Sequence, residues 1–305
     1  MPEVVVLDED DWLARAAAHR ADVEALTADH QRRAQRGEAH PVWDFLFTYY
    51  SLRPRQLRVW HPGYGTALAG PAAREYLDRT GYCSRPAGVT ADPEYLHSRL
   101  ETVGFVAGLL QATADRPPQY TCFGMHEWAM VYRTEDVRHG AVPLRLGADG
   151  TDAVVESMPL RCSHFDAFRF FTPAAVPRNQ VTPSRATQRD WEQPGCLHAN
   201  MDLYKWAYKL GPLVGSDLVL ACLRLAAQAR ELDMRASPYD LSAFGFEPIR
   251  VEDPAGRAEY VRCQNVVAQR AAPLRAALLS RCELLLEAAA AQEGTLLTGK
   301  LNGLS

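Results

Sequence analysis

The sequence predicts an α+β fold: a predominantly helical single domain with a small antiparallel β-sheet in the middle of the chain. Apolar residues recur at helical spacing before residue 115 and again after residue 196. Between them, residues 142–171 hold short apolar runs split by Ala148-Asp149-Gly150, a hairpin-type turn. No internal repeat and no long heptad run divides the 305 residues. The expected organisation is one globular domain over 1–295, helical over 1–115, strand-rich over 120–172 and helical over 196–291. A frayed tail over 296–305 follows.

Asp8 and Asp10 are N-cap candidates with further acids beside them, so a helix starts there. The helix then runs through Trp12, Leu13, Ala16, Ala17, Val23 and Leu26. Residues 29–36 are a basic, solvated surface. Residues 40–50 (HPVWDFLFTYY) are strongly aromatic, and Arg53, Arg55 and Arg58 follow. Aromatics beside arginines suit base stacking with phosphate contacts. They equally suit a core helix with a snorkelling basic edge. Residues 93–114 read as a helix with Leu96, Leu100, Val103, Val106, Leu109 and Leu110 inward. His126-Glu127 is not continued as His-Glu-x-x-His, because Met130 stands where the second histidine would be.

Residues 173–194 form a proline-rich connector that ends at Pro194-Gly195. A helix then runs from Leu197 to the Gly211-Pro212 stop. On it His198, Asp202, Lys205 and Lys209 share one face at spacings of three and four. Another helix covers 216–234, a short strand 249–251, and a long helix 259–291, with Pro273 as a potential break.

Composition limits the function. A net charge of −4 argues against affinity built on broad phosphate neutralisation. No run of 18 apolar residues predicts a membrane span, and the acidic start lacks a signal-peptide pattern, so a cytoplasmic location without a membrane partner is expected. Seven cysteines, an odd number, fit free thiols.

Three segments concentrate reactive side chains. Each places a cysteine just before a histidine, with an acid close by: Cys122, His126 and Glu127; Cys162, His164 and Asp166; Cys196, His198 and Asp202. Roughly one such Cys-then-His pair is expected by chance among seven cysteines and nine histidines. The excess predicts that Glu127, His164 and His198 surround one cavity.

The segments HPVWDFLFTYYSLRPRQLRVWHPG, CFGMHEWAMVYR, CSHFDAFRFFTP and PGCLHANMDLYKWAYKLGPLVGSDL resemble an actinobacterial family usually labelled 3-methyladenine DNA glycosylase. The resemblance covers residues 40–260. It implies a hydrolase that cleaves the N-glycosidic bond of an alkylated purine, in DNA or as a nucleoside-like small molecule, without a cofactor. Such chemistry needs a carboxylate near the sugar and aromatic faces for the base. Glu127, Asp166 and Asp202 are the catalytic candidates. Trp128, Phe165, Tyr204 and Trp206 are the stacking candidates, and Arg53, Arg55 and Arg58 would hold phosphates. The same segments support a second class, a metal-dependent enzyme acting on a small molecule. There His126, His164 and His198 bind zinc or iron, completed by a carboxylate or thiolate. A third class is a non-catalytic ligand-binding protein, in which the Cys-His pairs are packing residues.

Overall fold

The computed structural model describes residues 4–50, 53–137 and 142–302, with side chains as far as residue 292. Strand β1 (Val5–Leu7) leads into helix α1 (Glu9–Arg36). Asp8 stands at the N-cap position, and Glu9, Asp10 and Asp11 complement the positive end of the helix dipole. Gly37, at φ 69°, closes the helix by donating to Ala34 and Arg33. The buried stripe is Trp12, His19, Val23 and Thr27, while Leu13 and Leu26 are exposed.

Two short helices follow, α2 (Phe45–Thr48) and α3 (Pro54–Leu57). Then come β2 (Thr66–Leu68), a 3-10 turn over Pro71–Asp78, β3 (Tyr82–Arg85) and β4 (Gly88–Ala91). The four strands form one sheet in the order β1-β2-β4-β3. β1 and β2 run parallel, whereas β2/β4 and β3/β4 are antiparallel. At Gly88 (φ 130°) a Cβ would lie 2.3 Å from the Leu68 carbonyl oxygen, so only glycine lets β4 lie this close to β2. Leu68, Tyr82 and Val89 pack the sheet against Trp12, Trp60 and Tyr76.

The remaining described elements are helices. They are α4 (Pro93–Ala114), α5 (Met125–Ala129), α6 (Gly147–Ser157), α7 (Phe165–Phe168), α8 (Gln188–Trp191), α9 (Leu197–Lys209), α10 (Ser216–Arg235) and α11 (Pro254–Asn302). The side chain of Asp92 caps α4 through the Glu94 N–H, with Pro93 in the first turn. No helix among the described residues is long and apolar enough to cross a membrane.

Several sequence expectations are corrected. The sheet is mixed and lies before residue 92, not over 142–171. That stretch forms α6, α7 and loops, and among the described residues its β-bridges are the isolated Leu144–Tyr239 and Leu160–Asn179. Ala148-Asp149-Gly150 is the first turn of α6, not a hairpin. The Thr151 hydroxyl donates back to the Gly147 carbonyl, and Thr151, Val154 and Val155 bury one helical face. Residues 249–251 form a turn closed by Val251 N–H to the Ile249 carbonyl. Pro273 does not break α11: it forfeits one backbone N–H, while Ala271 and Leu278 hold the helix in the core. The helix continues to Asn302, so of the expected tail residues 303–305 lie outside the described residues.

α9 is the element on which the rest converges. It packs against α10 and α11, and α4 packs on α11. It buries Leu197, Met201, Leu203, Tyr204 and Trp206. At about 1.5–3 kcal/mol for each large apolar side chain, this face makes α9 a rigid support for the polar face opposite.

Candidate functional site

The polar residues of α9 are held between two segments by a close backbone approach. At Gly195 a Cβ would sit 2.6 Å from the Gln119 carbonyl oxygen. Gln193 clamps the same contact, accepting from the Gln119 and Gly195 N–H groups at 2.8 and 2.7 Å. Gln264 donates to the Gly195 carbonyl at 2.7 Å. The strand of chain leading to α5 is thereby fixed against the start of α9, and Cys122-His126 is brought beside Cys196-His198.

α5 carries two consecutive buried polar residues, His126 and Glu127. Trp128 anchors the helix by donating from its indole N–H to the Ala236 carbonyl at 2.9 Å. His126 Nε2 then lies 2.7 Å from Asp233 Oδ1, near the end of α10. The pair is off the N–H axis, so neither atom has a normally directed hydrogen bond. The His198 ring stands edge-on to His126 at 4.4 Å, with its Nε2 3.9 Å from Asp233 Oδ2. His126, His198 and Asp233 thus point one ligand atom each into a shared space, all within 4.8 Å of one another.

A second triad lies beside the first. The His164 ring stacks on His198 at 5.3 Å and 29°. Its Nε2 is 3.4 Å from both Glu192 Oε1 and Asp202 Oδ2. At that distance and angle neither is a hydrogen bond, and both His164 nitrogens are buried without a hydrogen-bond partner among the described residues. Asp202 lies one turn beyond His198 on α9, so a single helix supplies a ligand atom to each triad.

Surrounding groups hold these acids in place. Arg230, fully buried, donates to Glu127 Oε1 at 2.9 Å and Asp233 Oδ2 at 3.2 Å, and lies over the Phe45 ring. Tyr50 donates to Asp202 Oδ1 at 2.8 Å. Lys205 bridges Asp202 Oδ2 at 2.8 Å and Asp166 Oδ2 at 2.6 Å. Gln188 donates to Glu192 Oε1 at 2.6 Å.

Electrostatics follow the geometry. Burial disfavours charge on His126, but Asp233 outweighs it and raises the pKa well above the ordinary value. Burial also opposes charge on His164, and Glu192 and Asp202 outweigh it. His198 is pushed well below the ordinary value by burial and then by His126. Asp202 is held low despite burial, first by Lys205 and then by His164. Glu192 is raised by burial. Burial also raises the Cys162 and Cys196 thiols, which makes them poor nucleophiles.

Two small cavities, each ≈ 20 Å³, meet at His198. One is lined by Cys122, Cys162, Cys196 and the three histidines. The other has aromatic walls, Phe45, Tyr49 and Phe170, and also holds Glu127 and Asp166. Each volume holds about one water. The three Cys-His pairs therefore do converge. His164 and His198 share one cavity, while Glu127 opens on its neighbour.

The other expected site residues fare unevenly. Asp166 and Asp202 come together through Lys205, but Glu127 is committed to Arg230. Trp128 and Tyr204 are wholly buried core residues and offer no ring face for stacking. Trp206 is buried against Phe105, and Phe165 is half-buried beneath Arg185. Arg53 and Arg55 are exposed at the far end of α9, where Tyr208 donates to Gln56 of α3 at 2.7 Å. Ten helical residues separate His198 from Tyr208, about 15 Å, so these arginines stand away from the histidines. Arg58 donates to Gln31 at 2.8 Å.

Sequence reasoning missed Asp233, Glu192, Arg230 and Tyr50. Asp233 did carry a signal: an acid in the last turn of a helix opposes the dipole and calls for a compensating partner. Glu192 sits in the proline-rich connector and carried none. All seven cysteines are free thiols, as their odd number suggested.

No protein-family model, curated protein or solved structure matches this chain.

Proposed function

We propose that this chain is a metal-dependent enzyme acting on a small molecule, with His126, His198 and Asp233 holding one zinc or ferrous ion. One observation carries the reading. Two imidazoles and a carboxylate, nearly all buried, converge on one space, and two of the three ligand atoms lack a directed hydrogen bond. His126 Nε2 and Asp233 Oδ1 face each other at 2.7 Å without a directed hydrogen bond, and an ion between the three donors would satisfy both. Two nitrogens and one carboxylate are a donor set that suits zinc or ferrous iron and leaves coordination positions open. Bound there, such an ion would supply Lewis-acid polarisation of a water or substrate oxygen.

The protein's own groups support that role. Arg230 fixes the Asp233 carboxylate, and Cys122 Sγ lies 4.0 Å from His126 Nδ1 on the side away from the triad. The aromatic walls beside His198 favour a substrate with an apolar face. The test is hydrolytic and oxidative substrate screening with and without a chelator. Activity lost on chelation and restored by zinc or iron supports the proposal; activity indifferent to chelation and to His198→Gln rejects it.

Cofactor-free hydrolysis of an N-glycosidic bond in an alkylated purine is the second reading. What favours it is the aromatic cavity that holds both Glu127 and Asp166. Chelator-resistant release of a methylated base, abolished by Asp166→Asn, would establish it instead.

A further inference from the structure

The second triad is as well built as the first, and the reading above leaves it without a task. His164, Glu192 and Asp202 offer ligand atoms within 4.8 Å of one another and are all buried. His164 is 1% exposed, and neither of its nitrogens has a hydrogen-bond partner among the described residues. A histidine kept only for packing would need at least one such partner in a core. A directed His-carboxylate hydrogen bond would join one ring N–H to one oxygen at about 2.8 Å. Here two carboxylate oxygens stand equidistant at 3.4 Å from the same Nε2. That triangle leaves room between the three atoms rather than joining any two of them.

The flanking contacts support a ligand role. Gln188 takes one lone pair of Glu192 Oε1, and Lys205 takes one of Asp202 Oδ2. A carboxylate oxygen carries two, so each keeps one for the shared space. Tyr50 fixes the other Asp202 oxygen. These are the outer contacts that orient metal-bound carboxylates. Lys205 is also shared with Asp166 at 2.6 Å, so its charge is not devoted to Asp202.

The two triads adjoin. His164 and His198 stack at 5.3 Å, and His198 and Asp202 are successive turns of α9. We propose that His164, Glu192 and Asp202 bind a second divalent cation, so that the chain carries a two-metal centre carried on α9. One nitrogen and two carboxylates form a harder donor set than that of the first triad, and suit manganese or iron better than zinc. Two adjacent ions of this kind clamp attacking and leaving oxygens, chemistry suited to phosphate or other ester-like substrates. This inference rests on the first triad also binding metal.

Ion stoichiometry separates the two claims. Untagged protein is reconstituted anaerobically with excess Mn(II), Fe(II) or Zn(II), freed of loose metal, and measured by elemental analysis and native mass spectrometry. Two ions per wild-type chain are expected, and one ion in Glu192→Gln and in His164→Gln. The Mn(II)-loaded wild type should give the broadened resonance of two interacting ions, and Glu192→Gln the six-line signal of an isolated one. One ion in the wild type, lost in His198→Gln but kept in Glu192→Gln, overturns the second site and leaves the first. No bound ion overturns both. Two ions retained by folded Glu192→Gln and His164→Gln overturn the placement. Should either variant fail to fold, the wild-type stoichiometry and resonance decide alone.

Discussion

Replacing Arg230 with methionine should be among the most damaging single changes in the chain. Arg230 is fully buried and compensates two acids, Glu127 at 2.9 Å and Asp233 at 3.2 Å, while donating to the Pro41 carbonyl at 3.3 Å. Methionine preserves much of the apolar stem and its packing on Phe45, but strands the Glu127 carboxylate and leaves Asp233 with His126 alone. Removing one member of a buried pair costs about 3–5 kcal/mol, a large fraction of the roughly 5–15 kcal/mol that holds a domain together. Adding Glu127→Gln removes the stranded charge and should recover about 1–3 kcal/mol. The assay is urea unfolding of the wild type, the single variant and the double variant, compared at equal m values. Zinc provides a second arm. A metal that binds only the folded chain adds about 2.7 kcal/mol at a hundredfold excess over Kd, and a cation beside Asp233 should partly offset the loss of Arg230. A loss below about 1 kcal/mol, or a double variant no more stable than the single one, would refute the reasoning that Glu127 is structurally paired.

Gly195→Ala places a Cβ 2.6 Å from the Gln119 carbonyl oxygen; unfolding should show a loss of about 1–3 kcal/mol, and dialysis a weaker hold on metal. His61 is pushed down to about 4, first by burial and then by Arg79. Its unfolded-state value is near 6.5, so the unfolded chain takes the proton first. Stability from His61 is full above pH 6.5 and is lost as pH falls toward 4. At about 1.4 kcal/mol per pH unit, up to about 3 kcal/mol goes over that window, and His61→Gln should flatten this slope; an unchanged slope would contradict the assignment. Replacing Arg53, Arg55 and Arg58 together by alanine should leave ion content unchanged. Binding to a methylated-base duplex should be negligible in both proteins; a wild-type affinity that falls about 10³-fold from 50 to 200 mM salt, and weakens in the triple variant, would restore the DNA reading.

α9 and α10, which carry His198, Asp202 and Asp233, were legible because their signals are local, whereas α5 and α7 are four or five residues long and lie in the stretch expected to be strand-rich. Pro194-Gly195 precedes α9 and Gly211-Pro212 stops it, through backbone chemistry within a few residues. The three Cys-His pairs were legible for the same reason. The sheet was not: its strands are three or four residues long, and β1 pairs with β2 across about sixty residues of chain. The run Ala153-Val154-Val155 misled because a short apolar run reads alike as strand or buried helix, and only the Thr151–Gly147 turn decides. Asp233 and Glu192 complete the two triads from distant segments, and no spacing rule connects them to a histidine. Trp128 and Tyr204 looked like stacking surfaces because residue type does not disclose which side of a helix is buried.

The central claim, a metal ion held by His126, His198 and Asp233, is tested most directly by the ion content of untagged wild-type protein after extensive dialysis, measured beside folded His198→Gln. At least one equivalent of zinc or iron per wild-type chain is expected, and correspondingly less in the variant. A folded wild-type chain that holds no transition metal and takes up none on anaerobic reconstitution would contradict it.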